Sequence, residues 1–154
     1  AAGLASALRV GLEAPMQLSA AFLAATGAWA KAGWQGPRKV LNISSGLGRN
    51  AMASQSPYCA AKAGLDHFTR CCALEEAHQP NGAKLVSLAP GVIDTDMQVH
   101  LRGAAASGFP DRQRFVDMRE KGMLTSPDDA AARVLAWLDR ADFGTNPVAD
   151  VRDA

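Results

Sequence analysis

The segment Lys39-Val40-Leu41-Asn42-Ile43-Ser44-Ser45-Gly46, continued by a loop to Pro57 and then by Tyr58-Cys59-Ala60-Ala61-Lys62, decides how this chain folds. Lys39 to Ser44 is short and mostly apolar and β-branched, which predicts a strand buried on both faces, as in a parallel sheet. Gly46 to Pro57 reads as a loop. From Tyr58 to about Glu76, the residues Ala61, Leu65, Phe68 and Cys72 fall on one stripe, so a helix follows the loop.

Upstream, residues 5 to 32 read as helix, with Leu8, Leu12, Met16, Leu18, Phe22 and Leu23 at roughly helical spacing. Pro15 predicts a kink or a restart within it, and Gly33, Gly36 and Pro37 end it. Downstream, Asn81-Gly82 is a turn, and Lys84-Leu85-Val86-Ser87-Leu88-Ala89 is a second strand stopped by Pro90-Gly91. Residues 92 to 124, with Gly103, Gly108, Pro110 and Gly122, read as a helical, mobile excursion. Ser126 is the expected N-cap of a further helix, with Pro127 at its first position and Asp128 and Asp129 at the positive end of its dipole. That helix is expected to run to about Arg140 with Val134, Leu135 and Leu138 inward. Gly144 to Pro147 turns into a last short strand, Val148 to Val151. The alternation of helix and strand predicts an α/β fold with a parallel sheet.

Composition narrows the function classes. The 154 residues carry a net charge of +1 with scattered basic residues, so no basic stripe points to nucleic acid. The longest apolar region, Leu18 to Ala30, is broken by Ser19, Thr26 and Gly27 and is too short to span a bilayer. No basic stretch followed by an apolar run marks a secretory signal. Cys59, Cys71 and Cys72 are odd in number and lack metal-ligand spacing, which predicts reduced thiols, no metal and a cytoplasmic protein. His67, His78 and His100 have no partner at ligand or triad spacing.

The chemistry concentrates on Ser45, Tyr58 and Lys62. Tyr58, the one tyrosine, and Lys62 are i and i+4 and share a helix face. A tyrosine ordinarily titrates near pH 10, and a nearby ammonium favours its phenolate. A tyrosine tuned this way can give a proton to a developing alkoxide or take one from an alcohol. A serine hydroxyl at a strand end can hydrogen-bond and orient a carbonyl oxygen. Ser45 and Pro90-Gly91 both sit at carboxyl ends of predicted strands, where parallel α/β sheets bind ligands.

Asn42-Ile43-Ser44-Ser45, Tyr58-x-x-x-Lys62 and Pro90-Gly91-Val92-Ile93-Asp94-Thr95 together resemble the short-chain dehydrogenase/reductase superfamily. The resemblance covers nearly the whole chain and implies a Rossmann-like three-layer α/β/α fold. It implies that Ser45 positions a substrate carbonyl, that Tyr58 is the general acid/base, and that Lys62 holds the nicotinamide ribose and tunes Tyr58. It also implies that the backbone after Pro90-Gly91, with Ile93 and Thr95, holds the nicotinamide carboxamide. More narrowly, Tyr58-Cys59-Ala60-Ala61-Lys62-Ala63, Ala73-Leu74-Glu75-Glu76, Asp94-Thr95-Asp96-Met97-Gln98 and the tail Asp150-Val151-Arg152-Asp153 look like the sepiapterin reductases and their bacterial diketone-reducing relatives. In that subfamily Ile93, Asp94, Thr95, Asp96, Met97 and Gln98 would line the NADP(H) site. Gly46 and Gly91 would touch a small carbonyl substrate, and Asp150 matches the aspartate that anchors a pterin ring. Its bland alternative is a solvated tail charge. The two long helices often form a homodimer interface in this superfamily.

The chain also departs from the pattern. It has no Gly-x-x-x-Gly-x-Gly, and Gly46-x-Gly48 is too short and on the substrate side. It begins at Ala1 within a helical pattern. Residues 1–154 are therefore expected to be the catalytic C-terminal part of a single Rossmann-type domain, lacking its N-terminal strands and helices, with a substrate-lid excursion at 97–124. Phe109, Phe115, Met118 and Met123 either line that lid or form its packing face. Alignment places Gly11 where the superfamily usually has an asparagine that supports a proton-relay water, and Gly11→Asn is expected to be tolerated. Two rival readings stand: an interaction module pairing through an exposed sheet edge, and a reductase of the same superfamily with another substrate, such as a steroid or acyl-carrier ketone.

Overall fold

In the computed structural model, residues 2–103 and 108–153 are described; the side chains of Ala2 and His100 lie outside that description. The chain opens with α1 (Ala2–Leu8), a π-helical turn (Arg9–Glu13) and α2 (Ala14–Lys31). The restart expected at Pro15 takes the form of this π turn, in which the Ala14 N–H reaches back to the Arg9 carbonyl. Pro15 has no N–H to offer the Gly11 carbonyl, so the ordinary ladder fails here and a wider turn absorbs the break.

Three strands follow: β1 (Lys39–Ile43), β2 (Lys84–Ala89) and β3 (Val148–Asp150). They are parallel and lie in the order β1-β2-β3, with Lys39 opposite Lys84 and Ser87 opposite Val148. Between them run α3 (Ser56–Glu76), α4 (Asp96–Gly103), α5 (Arg112–Glu120) and α6 (Pro127–Leu138). Strand periodicity sorts the core into two layers. Leu85 packs with Cys72, Ala83, Leu23, Val40 and Phe68 toward α2 and α3. Val86 and Leu88 pack with Phe143 and Ala149 against Val134, Trp137 and Leu138 of the α6 side. Helices thus cover both faces of the sheet, the expected Rossmann-like three-layer arrangement.

The central strand β2 is fully buried from Leu85 to Ala89. The expectation that β1 is buried on both faces does not hold. Among the described residues β1 pairs only with β2, and Ile43 is 46% exposed. Leu135 of α6 also points outward rather than inward. On α2, Leu18, Phe22 and Trp29 are exposed while Met16 and Leu23 are half-buried, as is Leu12 of the π turn. That helix therefore carries a second apolar face, where the sequence pattern suggested one.

At the amino ends of the strands a polar cluster closes the core. Buried Arg38 donates to Glu76 and to the Asn81 carbonyl at 2.9 Å, to Thr26 at 2.9 Å and to the Leu23 carbonyl at 3.1 Å. Asn81 takes a positive φ of 45°, consistent with the predicted Asn-Gly turn. Ser126 caps α6 as expected, accepting from the Asp129 N–H at 3.1 Å and donating to its carboxylate at 2.7 Å.

Candidate active site

Helix α3 starts at the carboxyl ends of the strands and runs back antiparallel to them, from Lys62 beside Ile43 to Glu76 beside Arg38. It begins at Ser56, with Pro57 in its first turn, so Tyr58 is already helical. Tyr58, Lys62 and Asp66 recur every fourth residue and lie along one face. Lys62 donates to the Ile43 carbonyl at 2.8 Å, and its ammonium stands 5.7 Å from the centre of the Tyr58 ring. One lysine therefore ties the tyrosine's helix to the last residue of β1. Two residues on, Ser45 is extended and caps the short 3₁₀ turn Gly46–Gly48, accepting from the Leu47 N–H at 3.1 Å. That leaves its hydroxyl hydrogen free to be donated elsewhere.

Lys62 is half-buried, and desolvation pushes its ammonium below the ordinary lysine range while the Asp66 charge pulls it back up. Asp66 is 2% exposed. Its Oδ1 accepts from Ser44 at 2.5 Å and from Ser87 at 2.7 Å. Its Oδ2 faces Arg49 Nε at 3.6 Å and has no hydrogen-bond partner among the described residues. Arg49 also donates to the Ala149 carbonyl of β3 at 3.2 Å. Asp66, Ser87 and Arg49 were missed in the sequence. The i+4 step from Lys62 to Asp66 was available as a signal; no local spacing could have linked Arg49 to Ala149.

The second candidate run leaves β2 at Gly91, whose φ of +84° and lack of a Cβ keep the backbone turned and open. Ile93 forms an isolated parallel bridge with Thr125. Thr125 donates to Val92 at 2.9 Å and accepts from the Asp94 N–H at 3.0 Å. Asp94, Thr95, Asp96 and Met97 are exposed at the start of α4. Gln98 is 7% exposed, and its Oε1 has no partner among the described residues. Arg102 lies 3.6 Å from Asp94. In the excursion, Phe109 and Phe115 are buried with ring centroids 5.5 Å apart, so these two form packing rather than lining; Met123 is 61% exposed.

Asp150 is not a solvated tail charge. It is 6% exposed, and Arg152 grips it with two parallel bonds of 2.7 and 2.6 Å and a backbone N–H at 3.0 Å. The Arg152 contact, outweighing burial, holds this carboxyl below the ordinary aspartate range.

The family model described as short chain dehydrogenase matches residues 4–105, more than half of the chain. The chain belongs to the short chain dehydrogenase family. It is 37% identical over 136 residues to a benzil reductase ((S)-benzoin forming) of Bacillus cereus, covering 88% of this chain and 53% of that protein. It is 34% identical over 103 residues to a sepiapterin reductase of Xenopus tropicalis, covering 66% of this chain and 37% of that protein. Among solved structures, a short chain dehydrogenase/reductase of Saccharomyces cerevisiae superposes with a TM-score of 0.61 at 23% identity, over 75% of this chain and 46% of that one. That match bears on the fold alone. The chain spans about half the length of the benzil reductase it matches. Among the described residues no helix is long and apolar enough to cross a membrane.

Proposed function

We propose that residues 1–154 form the catalytic part of a Rossmann-type carbonyl reductase that uses NADP(H) and acts on a small vicinal dicarbonyl. The observation that carries this reading is the tie of Lys62 to the Ile43 carbonyl at 2.8 Å, beneath Tyr58 and two residues before Ser45. In this mechanism the Ser45 hydroxyl donates to the substrate carbonyl oxygen and orients it. The Tyr58 hydroxyl gives that oxygen its proton, and the Lys62 ammonium favours the phenolate left behind. NADP(H), when bound, supplies the hydride to the carbonyl carbon. Gly46 and Gly91 border the substrate, and the excursion at 97–124, of which residues 104–107 lie outside the described residues, is its lid.

The residues after Gly91 fit the nicotinamide end of the cofactor. A turned glycine, the exposed Asp94, Thr95, Asp96 and Met97, and the unpartnered buried Gln98 oxygen offer polar groups to a carboxamide, with Ile93 held by its bridge to Thr125. A dicarbonyl is favoured over a pterin because the Arg152 guanidinium already fills the Asp150 carboxylate with the planar fork an amidine ring would need. The exposed Leu18, Phe22, Trp29 and Leu74 of α2 and α3 support a homodimer built on these helices. The three unbridged cysteines suit a reducing cytoplasm.

The test is NADPH oxidation by the complete protein against benzil, smaller diketones and sepiapterin. Diketone reduction is expected, and Tyr58→Phe is expected to lower kcat by about 10³-fold or more, with NADPH binding and the circular dichroism spectrum retained. Unchanged turnover in that variant rejects the mechanism. Tight NADPH binding with no turnover of any carbonyl rejects the substrate class.

A further inference from the structure

The geometry points to Asp66 as a positioning residue of the reductase site, supplying the fixed negative charge behind Lys62 while pinning the serine that precedes Ser45. This rests on the reading of Tyr58, Lys62 and Ser45 given above. Asp66 lies one helical turn beyond Lys62 on the same face of α3 and is shut from water at 2% exposure. Its two short hydroxyl bonds come from different strands, Ser44 after β1 at 2.5 Å and Ser87 of β2 at 2.7 Å. Both are O–H donors, which a carboxylate recruits when water is absent.

The other oxygen is enclosed by the loop rather than bonded. A Cβ at Gly48 would lie 2.8 Å from Oδ2 and 3.0 Å from the Lys62 carbonyl, so a glycine is what lets the 3₁₀ turn lie against the carboxylate. Pinning two serines needs only an acceptor, which an asparagine supplies without the cost of burying a charge. The charge has a further target in Lys62, which burial drives toward neutrality and Asp66 holds toward the ammonium. The charged and titratable groups facing this pair are few. Tyr58 lies on their own helix, Arg49 stands beside Asp66 on the loop after β1, and Asp150 at the end of β3 feels the Arg49 charge.

The sign follows. Ammonium is lost as pH rises through the Lys62 pKa. Asp66→Asn keeps the acceptor for both serines and removes the charge, leaving burial unopposed, so the Lys62 pKa falls. The experiment is a titration of the complete protein carrying ¹³Cε-lysine, with Lys62 assigned through Lys62→Arg. In Asp66→Asn the Lys62 midpoint is expected to move down, and the basic limb of kcat/KM to move with it. A Lys62 midpoint that stays at the wild-type pH in Asp66→Asn overturns the proposal; should that variant not fold, an unmoved midpoint in Asp66→Ser, which also removes the charge, does so. The titration needs no turnover, so its outcome is separate from that of the Tyr58→Phe assay, which judges the reductase reading itself.

Discussion

Helix α3 carries two buried carboxylates, Glu76 at the amino ends of the strands and Asp66 near their carboxyl ends, and they are kept in opposite ways. Glu76 meets Arg38 at 2.9 Å and accepts the Ala83 N–H at 2.7 Å. Arg38, 3% exposed, spends its remaining donors on Thr26, Leu23 and Asn81. Asp66 has no such direct bond to a cation: its guanidinium stands off at 3.6 Å, and one oxygen lacks a hydrogen bond among the described residues. The difference shows how one helix divides its work. The satisfied end fastens α2, α3 and β1 together, and the incompletely compensated end leaves a field beside Lys62, in the proposed site.

The largest effect expected from breaking this comparison lies at the satisfied end. Glu76→Gln leaves the Arg38 charge buried without its partner, which costs about 3–5 kcal/mol. Thermal or urea unfolding measures it. Lys62 should titrate as in the wild type, because the change lies more than three helical turns away along α3. A variant as stable as wild type would mean that the other bonds of Arg38 suffice to hold it.

Much of this fold was legible because its signals are local. Lys84 to Ala89 reads as a buried strand by composition, and Ser126-Pro127-Asp128-Asp129 reads as a helix start by capping chemistry; both hold. Among the described residues β1 pairs on one side only, and its partial burial was not legible because an apolar β-branched run looks the same with one neighbouring strand as with two. In the site, Tyr58 and Lys62 were legible from their spacing, and the Lys62–Ile43 bond brings them to the strand end carrying Ser45. The Asp66 network was not, because Ser44 and Ser87 meet it from separate strands. Asp150 was placed by resemblance, but its engagement by Arg152 depends on a tail turn that no pattern announces.

Gly11 sharpens the comparison from outside α3, with a smaller effect. The π turn brings it against the site helix, and a Cβ there would sit 3.0 Å from the Ala61 Cβ, next to Lys62. The sequence suggested that Gly11→Asn is tolerated; the packing argues for a cost. Overpacking of this kind costs about 1–3 kcal/mol, offset by only about 0.3 kcal/mol because asparagine is little better than glycine in a helix. A net loss of about 1–2 kcal/mol is expected. An unchanged Tm in Gly11→Asn would return the earlier expectation.

The smallest effect is expected at Asp150, the third buried carboxylate, which resembles Glu76 in pairing and Asp66 in place. Its partner Arg152 is two-thirds exposed, with 66% of the side chain open to solvent, so screening limits the pair to about 1 kcal/mol or less. The direction is still definite. Its folded pKa lies below the ordinary value because Arg152 hydrogen-bonds the ionised form. The stabilisation is therefore complete above the unfolded carboxyl pKa of about 4 and is lost as pH falls through the folded value. Wild type should exceed Asp150→Asn in Tm by a few degrees at most at pH 7, and the two should converge as pH falls through the lowered folded pKa of Asp150. The gap should also narrow in 0.5 M salt, roughly a Debye length of a few ångströms. A gap that is constant from neutral to acid pH would mean that Asp150 acts through its turn with Arg152 and Asp153 rather than through its charge.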